Sequence, residues 1–241
     1  MKIVDAVWEK RNLGTDVTEI QCEVGDTLED LQQTLQISRT PYSVCKIPST
    51  CVDLLRCAQN EGYHVVEMSI GMEGKTKEIE LPVIYQRFMK DVEIVEANQE
   101  EINYVLEKIE EGNIFQTDRI SLDPCYGKKI AGIRYGNWVR DLLKRNARIC
   151  LAKIKGSPIA FGINMDKENG ISDAFLGGIL DENKGRGFGF LALYANLAAA
   201  KKYKNKKIVT NVSSNNHAII NLHIQYGFKI SGMNYVLIKH Q

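Results

Sequence analysis

The sequence predicts a mixed α/β protein built on a mixed sheet. Three observations carry this. Several short segments alternate apolar and polar residues, as half-buried strands do. Between them lie stretches whose apolar residues recur every three or four positions, as on one face of a helix. Glycine, asparagine and proline punctuate the changes from one period to the other. The chain has 241 residues, a net charge of +1, 44% hydrophobic and 25% charged residues. That is an ordinary globular composition, enough for one large domain or two small ones.

The elements follow in order. Residues 43–47 (SVCKI) and 65–70 (VVEMSI) alternate as strands. Between them, Val52, Leu55 and Ala58 are spaced as a helix that Gly62 closes. Near residues 85–92 one strand-like stretch ends and another begins, so residues 1–90 are expected as a small α/β domain and 91–241 as a second, larger one. After the strand at 91–95, Asn98 and Glu101 form a capping box. The helix it opens buries Ile102, Val105, Leu106 and Ile109 and stops at Gly112. A loop then leads into a helix near 129–145. Residues 148–165 read as a hairpin turning at Lys155–Pro158, and 171–180 as a strand. A glycine-rich turn at 185–189 opens a helix running to about Tyr203. Residues 206–212 read as a strand, 216–226 as a helix and 228–240 as two short strands.

Several function classes are excluded. No apolar stretch reaches the ~20 residues needed to cross a bilayer. The opening MKIVDAVWEKRN has no apolar signal region, so a cytoplasmic location is expected. Near-neutral charge argues against a general nucleic-acid binder. The six cysteines include no CxxC pair and the four histidines do not cluster with them, so no metal site is expected.

The chemistry concentrates in Lys184, Gly185, Arg186, Gly187, Phe188 and Gly189. Glycines let backbone approach a ligand closely and adopt positive φ cheaply. The helix that follows offers unpaired N–H groups to an anion. A phosphate or pyrophosphate fits here, as does a purely structural turn. The spacing is not the dinucleotide fingerprint, and no Gly-Lys-Ser/Thr follows, as a P-loop requires.

Residues 184–189 resemble the [Q/R]-x-x-G-x-[G/A] acyl-CoA signature of the GCN5-related N-acetyltransferase (GNAT) superfamily, with Lys184 at its first position. Residues Asn216–Phe228 resemble that superfamily's second signature, N-x-x-A-[IV]-x-L-Y-x-x-x-G-F, with His223 in place of tyrosine. The element order from 91 to 241 also agrees. A narrower resemblance is to the TDP-fucosamine acetyltransferase type. It rests on Phe115, Asp118 and Arg119 followed by Arg134, Tyr135 and Trp138, and on Trp8–Gly14 and Tyr42–Pro48.

The resemblance implies a GNAT domain behind a smaller N-terminal domain that is itself a truncated relative of that fold. It implies direct acetyl transfer from acetyl-CoA to a primary amine in a ternary complex, the amine belonging to a nucleotide-linked amino sugar. Two other readings stand beside it: a peptide, polyamine or small metabolite amine as acceptor, and a GNAT-like module that binds acyl-CoA without turnover. Lys184–Phe190, with Ile179, Leu180 and Asn216, would hold CoA. Phe115, Asp118, Arg119, Arg134 and Tyr135 would hold the acceptor, although the arginines also read as braces of the loop. Asp173, placed by alternation on one face with Phe175, Gly177 and Ile179, would be the base. His223 would protonate the departing thiolate; a helix-packing histidine is the other reading. The assembly is left open, a homodimer included.

Overall fold

The capping box at Asn98 forms as the sequence requires. Its side chain accepts from the Glu101 amide while Glu101 accepts from the Asn98 amide. The computed structural model describes residues 1–180 and 185–241. In chain order the first half comprises β1 (Lys2–Asp5), α1 (Val7–Leu13), β2 (Val17–Gln21), α2 (Leu28–Ile37), β3 (Tyr42–Pro48), α3 (Val52–Asn60) and β4 (His64–Lys75), followed by the short α4 (Val83–Gln86). The second half comprises β5 (Val92–Glu96), α5 (Gln99–Glu110), α6 (Gly127–Lys144), β6 (Arg148–Ile154), β7 (Ser157–Lys167), β8 (Ile171–Ile179), α7 (Phe190–Lys202), β9 (Lys207–Ser213), α8 (His217–Gln225) and β10 (Lys229–His240).

The ten strands of the described residues join one sheet, in the order β1-β2-β3-β10-β4-β9-β8-β7-β6-β5. The last strand therefore does not lie at an edge. β10 pairs antiparallel with β3 on one side and with β4 on the other. Where two short final strands were expected, there is one strand of 12 residues with register shifts after Ile230 and Val236. Its neighbours explain this, because each offers pairing along most of its length. Through β10 the end of the chain pairs with strands of the first half. Leu237 of β10 is fully buried in a core with Ile20, Leu31, Leu35 and Leu54. Burying one such leucine contributes about 1.5–3 kcal/mol.

Further cores lie around the helices of the second half. One joins Met72 of β4 to Phe190, Leu191, Leu197, Leu222 and Tyr226 around α7 and α8. The other joins Val105, Ile109, Val139, Phe161 and Leu180 around α5 and α6.

Buried charge ties the halves together. Glu9 of α1 has no exposed surface and accepts from Arg134 Nε at 2.9 Å and Arg134 Nη2 at 2.6 Å. Arg119 donates from one nitrogen to both Glu9 and Glu19, each at 3.0 Å, and Lys46 reaches Glu19 at 2.9 Å. Burial pushes the Glu9 carboxyl up, but the Arg134 hydrogen bonds and the charges of Arg134 and Arg119 outweigh it, so its pKa lies below the ordinary 4.5. Glu19 is lowered likewise, with Arg119 and Lys46 overcoming its burial.

Carboxyls with depressed pKa stabilise the fold fully above their unfolded value and lose that stabilisation as pH falls through the folded one. The protein is thus expected to lose stability as pH drops below 4.5. Glu9→Gln leaves two buried guanidinium groups undercompensated, and is expected to cost about 3–5 kcal/mol in urea unfolding at pH 7. It should also flatten the acid limb. A loss under 1 kcal/mol would show that the cluster holds nothing together.

Candidate functional site

The sheet comes apart at one place. β8 and β9 run parallel, yet they pair only from Ile171–Asp173 to Lys207–Val209. Beyond that, β8 continues to Ile179 beside β7 and β9 continues to Ser213 beside β4, leaving a wedge between them. The β7–β8 ladder shows which backbone groups face it. The Leu180 amide donates to the Ile159 carbonyl at 3.0 Å, so the 159/180 pair is hydrogen-bonded. Antiparallel ladders alternate. The N–H and C=O groups of Ile179 and Gly177 therefore turn away from β7, toward the wedge. Of the two residues expected to contact the CoA arm, Ile179 presents its backbone and Leu180 does not.

A β-bulge lies beside the opening. One step of β7, from Ile163 to Asn164, faces two steps of β8, from Leu176 to Ala174, so Phe175 is the extra residue. The bulge reverses the expected alternation. Asp173, opposite Met165, shares a face with Leu176 and Gly178, whereas Gly177 and Ile179 share the other with Ala174. Asp173 also forms an ion pair with Lys167, which ties up the carboxylate expected to act as base.

The glycine turn precedes α7. Lys184 lies outside the described residues. Gly185 and Gly187 have φ of +75° and +80°, the left-handed region that side chains disfavour. A Cβ at Gly185, Gly187 or Gly189 would meet nothing within 4 Å; the space beside the turn is open. Arg186 is exposed and Phe188 half-buried. The Phe190 ring belongs to the core, stacked on Tyr85 of α4 at 4.5 Å, so only its backbone is available to a ligand. Asn216 caps α8, its side chain accepting from the Ile219 amide at 3.3 Å.

The lips of the wedge, Ala174–Leu176 and Asn211–Ser213, open on a cavity of about 720 Å³. That volume suits a small-molecule ligand. Tyr135, Trp138 and Phe175 supply aromatic walls, and the first half contributes Trp8, Asn12, Glu19, Lys46, Glu67 and Ser69. Of the expected acceptor residues, Asp118, Arg119, Arg134 and Tyr135 line it, but most are committed elsewhere. Arg119 and Arg134 are bonded to Glu9 and Glu19, as above, and are not free to grip a diphosphate. Asp118 accepts from the Ile120 amide at 2.9 Å and from the Ser121 hydroxyl, so it shapes its own turn. Phe115 packs on Tyr135 at 4.5 Å within the core. Tyr135 lines the cavity with its phenol pKa pushed up by burial, so it stays protonated.

Glu67 was not singled out by the sequence. It sits on β4, beside the end of β9, and lines the cavity. One of its oxygens accepts from the Arg119 amide at 3.3 Å. Burial raises its pKa above the ordinary 4.5; the Asp118 charge adds to this, while Ser213 and Arg119 oppose it. Its strand is held firmly, because Met68 exchanges hydrogen bonds with Ser214. Periodicity alone shows only an alternating strand at this position.

His223 lies elsewhere. It is 5% exposed, packed edge-on against Phe228 at 4.8 Å, and absent from the cavity wall. Its Nδ1 is 2.8 Å from the Ile219 carbonyl. A carbonyl only accepts, so Nδ1 carries the hydrogen and Nε2 of the neutral ring carries none. Burial lowers the pKa from 6.5. At neutral pH the ring has no Nε2 proton to give, which argues against the expected donor role.

No protein-family model matches the sequence, and no curated protein does. Solved structures do match. A functionally unknown protein from Staphylococcus epidermidis superposes with a TM-score of 0.63 at 13% identity, covering 94% of this chain and 84% of that one. A GCN5-related N-acetyltransferase from Kribbella flavida gives 0.58 at 13%, covering 93% and 81%. A tandem GNAT protein from the clavulanic acid biosynthesis pathway gives 0.53 at 12%, covering 88% and 68%. The parted strands, the bulge and the glycine turn are thus set in a mixed α/β sheet of the same form as theirs: the chain has the GNAT fold.

Proposed function

We propose that the protein is an acyl-CoA-dependent N-acetyltransferase acting on a primary amine of a small molecule. One observation carries this: the wedge between β8 and β9 has unpaired backbone edges and ends on the cavity, and an open glycine turn starts α7. A pantetheine arm lying along Gly177 and Ile179 would satisfy those edges. The amides at the start of α7 would meet the pyrophosphate. The thioester would then reach the mouth of the cavity, where the amine waits.

The amine must lose a proton before it attacks. Glu67 is the group we assign to take it, since it lines the cavity and its raised pKa makes it a better base than an ordinary carboxylate. The amine nitrogen bonds to the acetyl carbon, and the thioester C–S bond breaks. A thiolate whose conjugate acid resembles cysteine, near pKa 8.5, leaves readily, so a proton from water suffices and His223 is not needed. The first half serves the acceptor, since Trp8, Asn12, Lys46 and Glu67 all face the cavity. A nucleotide-linked amino sugar is the less favoured acceptor, because Arg119 and Arg134 are bonded to glutamates.

Thiol release from acetyl-CoA across a panel of amines tests the reading. Folded protein that binds no acetyl-CoA would overturn it. Glu67→Gln is expected to lower kcat by about 10²–10⁴-fold while leaving acetyl-CoA affinity within a few-fold. In the parent, kcat/KM should rise with pH through the Glu67 pKa, above 4.5, because only the ionised carboxylate accepts a proton. The variant should lack that limb. His223→Phe is expected to turn over within about threefold of the parent while losing roughly 0.5–1.5 kcal/mol of stability with its hydrogen bond. A large fall in kcat at unchanged stability would restore its catalytic role. Gly187→Val forces a branched side chain onto a φ of +80°. The strain, of order 1–3 kcal/mol, should appear as weaker acetyl-CoA binding; unchanged affinity would remove the turn from the site.

A further inference from the structure

A second cluster lies away from the wedge. Asp123 and Cys125, in the loop before α6, meet His240 at the end of β10. A carboxylate oxygen, the thiol sulfur and an imidazole nitrogen all lie within 4.8 Å of one another. We propose that these three side chains form a zinc site that clamps the loop to the last strand, with a fourth position open to water.

The donor set fits the metal. Zinc takes cysteine sulfur, histidine nitrogen and carboxylate oxygen in tetrahedral geometry, at about 2.3 Å for sulfur and 2.0–2.1 Å for nitrogen. Such a tetrahedron needs its ligand atoms about 3.3–3.6 Å apart. His240 Nε2 and Asp123 Oδ2 are now 2.7 Å apart, joined by a hydrogen bond, so they must part slightly. Cys125 is exposed and free to rotate inward.

The surroundings orient each ligand. The Cys125 amide donates to Asp123 Oδ1 at 2.9 Å, which leaves Oδ2 directed at His240. The imidazole packs against Tyr42 and Tyr126, with ring centroids at 4.8 and 5.7 Å. Such outer contacts fix ligand geometry in metal sites. One thiolate and one carboxylate balance the two charges of the ion. Asp123, only 1% exposed at its side chain, gains a doubly charged partner where it now meets a single imidazole. The pairing is invisible in the sequence because 115 positions separate Cys125 from His240.

The test uses the full chain, stripped of metal and titrated with Co²⁺ and then Zn²⁺. One Co²⁺ per chain should bind and give a sulfur-to-cobalt charge-transfer band with the intense visible absorption of a tetrahedral centre. Zn²⁺ should displace it and raise Tm. Cys125→Ser should abolish the charge-transfer band, and His240→Gln should weaken Zn²⁺ at least about 100-fold. Circular dichroism should report both variants folded. Absence of the band in the parent, or its survival in Cys125→Ser, overturns the proposal. Neither readout depends on acetyl transfer, so the outcome stands apart from the activity.

Discussion

The pairing of β10 between β3 and β4 is the contact on which the rest of the molecule depends. It makes one sheet of two halves. Without β10, β3 and β4 would each face water with an unpaired edge, and Leu237 would leave the core it shares with Leu31 and Leu54. Because β4 then pairs with β9, the first half is fixed against the strand that forms one lip of the wedge. That is how Glu67, a residue of the first half, comes to face a cavity opened by the second.

The wedge follows from the same arrangement. β9 is held by β4 along its length but by β8 for only three residues. β8 is held by β7, and the bulge at Phe175 bends it where the strands part. A gap in a sheet leaves backbone donors and acceptors unpaired, which is costly in a buried setting. In the proposed reading a ligand with its own amide groups lies in this gap. The two glycines at positive φ beside α7 leave open space beside the turn, where that reading puts its anion.

Charge is used in two ways around the cavity. Glu9, Glu19, Arg119, Arg134 and Lys46 pair with one another and brace the wall. Glu67 accepts from the Arg119 amide, and burial raises its pKa. The contrast separates structural from chemical roles. Groups with lowered pKa hold the halves together, and the one with raised pKa is suited to proton transfer.

The sequence by itself determined the local elements of the second half and its GNAT order. The capping box at Asn98, the apolar stripe of α5 and the glycines at 185 and 187 each act through neighbours within a few residues, so their pattern is legible in one dimension. The first strands and helices, up to α2, were not read, for β1 and β2 are only four and five residues long. Only the tertiary structure decided the rest. It put β10 inside the sheet, because pairing partners are chosen by the whole core and not by the strand's own alternation. It slipped the face of Asp173 by a single bulged residue, which a period of two cannot reveal. It made Arg119 and Arg134 partners of Glu9 and Glu19, 100 or more positions away. It set Glu67 against the cavity and His223 in the core, since burial depends on what packs above a side chain, and no local pattern encodes that.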